Sequence, residues 1–205
     1  MSDQKPYHHG NLREALLAAS LDLIREGGAP ALTLREVARR AGVSHGAPYR
    51  HFQDKAELLA AIAEEGFNRL TEAMQSAAAQ SSDPFPRLRN AGLAYIEFAQ
   101  EQPEHFQVMF AADLDEDRHP SAKAAARRCF AELRSLVTAC LQARRLEDLP
   151  PETAALLAWT HVHGVADLAL RGQLDFKSRK ELRQFARLAI DLFGRGSKLA
   201  ASTKR

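Results

Sequence analysis

Cysteine is scarce: the 205 residues contain two, Cys129 and Cys140. They share one helical pattern, and at about 1.5 Å of rise per residue they stand roughly 16 Å apart, beyond disulfide reach. Neither has the spacing of a zinc site, so both read as small core residues. Long apolar runs are missing too. No stretch approaches the roughly 20 residues that span a bilayer. Met1 to Pro6 lack the apolar core of a secretory signal. A cytoplasmic protein without membrane contact is expected. Sustained period-2 alternation between hairpin turns does not occur, which argues against strands. A Gly-rich phosphate loop, a paired-cysteine motif and His-Glu-x-x-His are all absent, so the sequence offers no ground for an enzyme or a cofactor. Asp113, Asp115, Glu116, Asp117 and His119 lack the periodic ligands and glycine of an EF-hand and read as a solvated acidic loop rather than a metal site. The net charge of +2 is too small to imply a nucleic-acid partner by itself.

What is present is helix grammar on an ordinary globular composition, 45% hydrophobic and 26% charged. Asn11 with Glu14, Thr33 with Glu36, Asp54 with Glu57 and Ser178 with Glu181 each pair an N-cap with a Glu three positions on. Asp83-Pro84 and Pro150-Pro151 add starts with proline in the first turn. Gly27-Gly28, Gly42, Gly172 and Gly194 follow periodic apolar runs as stops. The marks predict an all-α chain of about nine helices, near 11–26, 34–41, 45–52, 55–79, 84–101, 103–111, 121–144, 151–171 and 179–193. Residues 81–84 and 113–120 read as loops, and 196–205 as a small, basic, disordered tail. No internal repeat is visible.

Thr33 to Phe52 carry the most specific pattern. Leu34, Val37, Ala38 and Ala41 form one apolar face, Gly42 permits a left-handed stop, Val43 plugs the core and Ser44 can cap a second short helix. In that second helix Tyr49 and Phe52 have the spacing of inward residues, while Gly46, Ala47, Arg50 and His51 are small or polar. Arg35, Arg39, Arg40, Arg50 and Lys55 face only Glu36 and Asp54 in this stretch, and His45 and His51 can add charge near phosphate. A helical hairpin buried in a larger domain is the plainer alternative, and surface-directed Arg and His beside an exposed Gly argue against it.

Residues Thr33 to Phe52, continuing through Lys55, resemble the DNA-binding signature of the TetR family. The likeness extends upstream through Asn11 to Gly28 and downstream into Leu58-Leu59, about a quarter of the chain. Two weaker likenesses point to one subgroup: Trp159-Thr160-His161-Val162-His163-Gly164 is similar to a Trp-x-x-x-His-Gly element, and Tyr7-His8-His9-Gly10-Asn11-Leu12 to an N-terminal lead. The resemblance implies a helix-turn-helix domain over 1–55 and a ligand-binding and dimerisation domain over 56–195. It implies a dimer on double-stranded palindromic DNA, a repressor that a small molecule releases. By position, Thr33 caps the first helix of the motif and touches phosphate. Ser44, His45, Gly46 and Ala47 face the major groove, and Tyr49, His51 and Lys55 bond phosphates. Arg50 is the first choice for reading a base, since Arg can bond both acceptors of guanine; a further phosphate contact is its alternative role. Pro48 departs from the usual aliphatic residue and predicts a recognition helix that is loose or slightly 3₁₀ before Tyr49.

Tyr95, Phe98, Phe106, Met109, Phe110, Phe130 and Trp159 gather in the middle helices and suit a cavity for a small hydrophobic effector. Core packing is the plainer reading of any single one of them. His163 lies one turn from both Trp159 and Asp167; it reads as an effector anchor, or as a structural His bonded to Asp167 or to a backbone carbonyl. The last two helices carry Leu156, Leu157, Val162, Val165, Leu168, Phe185, Leu188, Ala189 and Leu192, more apolar side chains than one core stripe needs, which fits a homodimer surface. A protein that keeps this fold for interactions without DNA is the alternative, against which Ser44, Gly46, Tyr49, His51 and Lys55 argue.

Overall fold

Side-chain caps set the helix starts. Thr33 Oγ1 accepts the Glu36 N–H at 3.2 Å, Asp54 Oδ1 the Glu57 N–H at 2.9 Å, and Ser178 Oγ the Glu181 N–H at 3.2 Å. The reciprocal Glu bond of a capping box lands one residue earlier than usual in two of them. Glu57 accepts from the Gln53 N–H and Glu181 from the Lys177 N–H, while Glu36 turns to Arg39. The computed structural model describes residues 12–111, 114–115, 117–144, 146 and 149–199, with backbone alone from 195 to 199. The Asn11 cap, the Tyr7–Asn11 lead, Asp113 and Glu116 lie outside the described residues.

Those residues hold eight α-helices and no strand: α1 (Leu12–Ala31), α2 (Leu34–Arg40), α3 (Lys55–Ala78), α4 (Pro84–Glu101), α5 (Pro103–Ala111), α6 (Pro120–Gln142), α7 (Pro151–Leu170) and α8 (Arg179–Leu199). Three boundaries depart from the sequence reading. α1 does not end at Gly27; its regular part breaks at Gly28, where φ is +75°, and a further turn through Pro30 reaches Ala31. The ninth helix, expected over 45–52, is only a 3₁₀ turn at Pro48–Arg50. Pro48 has no N–H to give Ser44, so the Ser44 carbonyl takes the Ala47 N–H at 2.9 Å and the segment proceeds by tight turns. α8 passes through Gly194 to Leu199, so residues 196–199 are helical rather than tail; 200–205 lie outside the described residues. Gly194 is there for space: a Cβ on it would run into the Phe85 ring of α4.

α3 is the axis of the fold, packing on α4, α5 and α6 along Leu58, Ile62, Phe67, Leu70 and Met74. α4 in turn lies against α6, α7 and α8. α1, α2 and the 3₁₀ turn close over Leu16, Val37, Ala38 and Phe52 at one end, and Gly42, at φ +69°, turns the chain between α2 and the 3₁₀ segment. Cys129 and Cys140 are buried in α6, neither in a disulfide, and burial pushes the Cys129 thiol up to about 11. No described helix is long and apolar enough to cross a membrane.

Candidate functional site

The turn from Ser44 to His51 projects from the end of the molecule, and its inward anchors differ from the expected pair. Phe52 is buried, but its partner is Pro48, while Tyr49 is 58% exposed. The 3₁₀ geometry puts Pro48 and Phe52 on the inner side, tied by the Phe52 N–H to Pro48 carbonyl bond at 2.9 Å. Tyr49 therefore cannot pack inward. Ser44, His45, Gly46, Arg50 and His51 are exposed and Ala47 is half-buried; a Cβ on Gly46 would touch nothing within 4 Å. Arg13 of α1 stacks over the Phe52 ring at 5.7 Å and braces the turn. Lys55 donates to the Pro30 carbonyl at 2.8 Å, so one of its three protons serves the end of α1.

The basic excess of this stretch is smaller in space than in sequence. Arg40 forms a two-pronged bond to Glu26 (2.9 and 2.6 Å), and Arg39 bonds Glu36 at 3.0 Å. These guanidinium groups hold the Glu26 and Glu36 carboxyls below the usual range. Arg35 and Arg50 have no ion pair among the described residues and remain available to a phosphate surface.

The second candidate site is an aromatic cluster where α4, α5, α6 and α7 meet. Trp159 Nε1, a donor only, gives its proton to the Tyr95 hydroxyl at 3.2 Å. Tyr95 can then donate its own O–H in a hydrogen bond to His163 Nδ1, 2.8 Å away. The rings of Phe106 and Phe110 lie 5.4 and 4.6 Å from that of His163, and Phe130 meets Trp159 at 6.3 Å. Phe110 is 38% exposed and brings the cluster to the surface. Six of the eight expected residues are thus gathered: Tyr95, Phe106, Phe110, Phe130, Trp159 and His163. Phe98 makes no ring contact among the described residues, and Met109 lies against α3, where a Cβ on Gly66 would be 2.6 Å from its sulfur. Phe67, which has the spacing of a core residue with Leu70 and Met74 in α3, joins by an edge contact of 5.7 Å to Phe110. Helical spacing could not single it out.

Among the described residues His163 bonds neither of its expected structural partners. Asp167 is engaged by Arg171 Nε at 2.8 Å, and the Tyr95 hydroxyl, across the helix interface, takes its place. His161, two residues earlier, faces elsewhere and stacks on Phe193. Beside the cluster a cavity of about 30 Å3 lies between Met74, Leu88, Tyr95, Leu133 and Val162. That is room for a water or two, so a larger guest has to displace side chains. Among the described residues no group of three His, Cys, Asp or Glu can hold a metal ion, and Asp115 is spent on the N–H groups of Asp117 and Arg118.

Burial also sets a pH response. It lowers the pKa of His163 and of His105, whose ring lies 3.9 Å from Glu65 and whose Nε2 has no hydrogen-bond partner among the described residues. Near His163 the charged group is Asp167; near His105 they are Glu65, Arg69 and Glu104. The folded chain refuses protons that the unfolded chain accepts, so stability is full above the ordinary histidine value of 6.5 and falls as pH drops below it. Glu26, Glu36 and Asp54, all lowered, act the same way only below about 4.5. Thermal melts between pH 7.5 and 5 are expected to show a falling midpoint that His105→Asn flattens; an unchanged slope in that variant would remove His105 from the account.

Comparison with known proteins converges on one class. Residues 16–62 match the model of "Bacterial regulatory proteins, tetR family", and 88–193 that of "Tetracyclin repressor-like, C-terminal domain". The regulator AcrR of Shigella flexneri is 23% identical over 190 residues, 88% of each chain. The transcriptional activator FasR of Mycolicibacterium smegmatis is 31% identical over 101 residues, 49% of this chain and 46% of FasR, so less than half of that relative is spanned. A solved structure of a protein of unknown function from Rhodococcus sp. RHA1 is 34% identical with a TM-score of 0.82, over 95% of this chain and 99% of that one. AcrR, FasR and the matched domains are those of transcriptional regulators, not of enzymes.

Proposed function

Because the chain belongs to the TetR family of transcriptional regulators, we propose that it binds a palindromic operator as a homodimer, represses from there, and is released by a small hydrophobic molecule. Residues 1–55 form the DNA-binding unit, 56–195 the effector and dimerisation unit, and the protein acts in the cytoplasm. The observation that carries the reading is the outward edge from Ser44 to His51. An exposed Tyr and an exposed Arg stand there beside backbone with no bulk at Gly46, on a turn held from within by Pro48 and Phe52. Thr33, Tyr49, His51 and Lys55 position the protein on phosphates, while Ser44, His45, Gly46 and Ala47 approach the major groove. Arg50, without an ion pair among the described residues, reads a base.

Selection of DNA from a random pool by the purified protein tests this. An enriched palindrome supports the reading, and a folded protein that enriches nothing points instead to an interaction protein. With the operator in hand, Arg50→Ala is expected to weaken binding by about 1–3 kcal/mol and to relax preference at one base pair. A uniform loss across sequences would make Arg50 a phosphate contact. Reporter output with and without the protein gives the sign of regulation, a live question since FasR is named an activator.

The effector site of this reading is the cluster around Tyr95, Trp159 and His163, opened by movement of Phe110. Two ion pairs supply the route to DNA. Glu104 of α5, buried, accepts from Arg25 of α1 at 2.6 Å, and Arg118, ahead of α6, bonds Asp54, the cap of α3, at 2.8 Å. A shift of α5 would pull on α1 and a shift of the 118 loop on α3, and so each on the spacing of two recognition turns. An effector that binds tightly yet leaves operator affinity unchanged would overturn this coupling, since coupling requires different affinities for the two states.

A further inference from the structure

α4 and the start of α8 enclose a groove of about 310 Å3, far larger than the cavity beside the aromatic cluster and sharing no side chain with it. Its floor is apolar, made by Leu93 and Ile96 of α4 with Leu182 and Ala186 of α8. Its rim is charged, with three cations, Arg179, Lys180 and Arg183, against two carboxylates, Glu97 and Glu101. Arg183 is bonded to Glu97. Arg179 lies 3.7 Å from Glu101 with its side chain 74% exposed, a loose pair of small worth. Lys180 has no ion pair among the described residues. The groove thus offers one uncompensated positive charge at the edge of an apolar trough.

We propose that this groove binds a small amphiphilic monoanion, a carboxylate on an aliphatic body, at a site separate from the effector cluster. The trough removes the aliphatic body from water, while Lys180 and the loosely held Arg179 take the carboxylate. A neutral body leaves Lys180 without a partner, and a cationic one meets the rim with the wrong sign. The volume is at the lower end of small-molecule sites, which sets the guest at about the size of a ten-carbon acid. The groove lies on the side of α8 opposite to Leu188 and Leu192, so its guest braces α8 against α4 without covering that apolar face.

Calorimetric titration of the full chain with decanoate, below its micellar range, tests the proposal. Saturable binding of one decanoate per chain is expected, with decanol at least tenfold weaker and decyltrimethylammonium without measurable binding. The double variant Arg179→Glu, Lys180→Glu changes two exposed side chains and is expected to keep its circular dichroism and melting midpoint while losing at least tenfold in decanoate affinity. The methyl resonances of Ile96 and Leu182 are expected to shift on titration. Decanoate affinity unchanged in the double variant, equal binding of decanol, no saturation, or an unmoved Ile96 methyl would each overturn it. No DNA enters the experiment, so its failure leaves the operator reading intact.

Discussion

Leu188→Glu is expected to turn the protein into a monomer and to lower operator affinity by about 10²–10⁴-fold. That is the range gained when two linked modules bind together rather than singly. In the single chain Leu188 and Leu192 are 58% and 55% exposed, and Leu156, Leu157 and Leu168 of α7 and Phe185 of α8 are exposed as well. Large apolar side chains left exposed and gathered into a patch mark an interaction site. Under two-fold symmetry each substitution enters the interface twice, so a single buried, unpaired carboxylate per chain is doubly unfavourable. The protomer has no such reason to suffer, because a surface change of this type stays within about 0.5 kcal/mol. Sedimentation equilibrium and an operator titration give the two readings. A Leu188→Glu protein that remains dimeric would place the interface elsewhere.

Phe52→Ala is expected to cost about 3–5 kcal/mol, a loss comparable to the whole stability of many domains. The ring is 2% exposed, lies under Arg13 and backs the 3₁₀ turn that carries Tyr49 and Arg50. Urea denaturation followed by circular dichroism gives the size of the effect. Tyr49→Ala is the contrast, leaving stability within about 0.5 kcal/mol while weakening operator binding, because that side chain points to solvent. A Phe52→Ala protein that loses under 1 kcal/mol would show that the recognition turn is held by something other than the core beneath it.

Much of this molecule is legible in its sequence because helices announce themselves locally. Thr33, Asp54 and Ser178 cap the helices they precede, since a cap needs only the three residues after it. Leu59, Ile62, Phe67, Leu70 and Met74 have the helical spacing of one face of α3, and all but the half-buried Leu59 are buried. The weak turn at Pro48 also follows from chemistry, as a missing N–H can be read from the residue alone. Its consequence was larger than local reasoning suggested: with no N–H at Pro48 for the Ser44 carbonyl, the segment tightened into 3₁₀ turns and Pro48 rather than Tyr49 became the inner anchor.

The aromatic site shows where such reading stops. Tyr95 and His163 are 68 positions apart, and spacing along α7 pointed His163 to Asp167, which bonds Arg171 instead. Val162 was counted with the dimer surface, yet it is buried within its own subunit, while Leu157 and Leu168 on the same helix face outward. Period 3.6 separates the faces of a helix but does not say which neighbour each one meets.

By itself, then, the sequence determined the helical class, the cap positions, the polarity of the recognition segment and the family, because each depends on contacts within a few residues or on a contiguous motif. Only the tertiary structure decided which arginines are already spent on carboxylates, which hydroxyl holds His163, which apolar side chains of α7 and α8 remain uncovered, and that α8 continues through Gly194. The reason is common to all four: each depends on which helices approach one another, and at what angle, which no local pattern encodes.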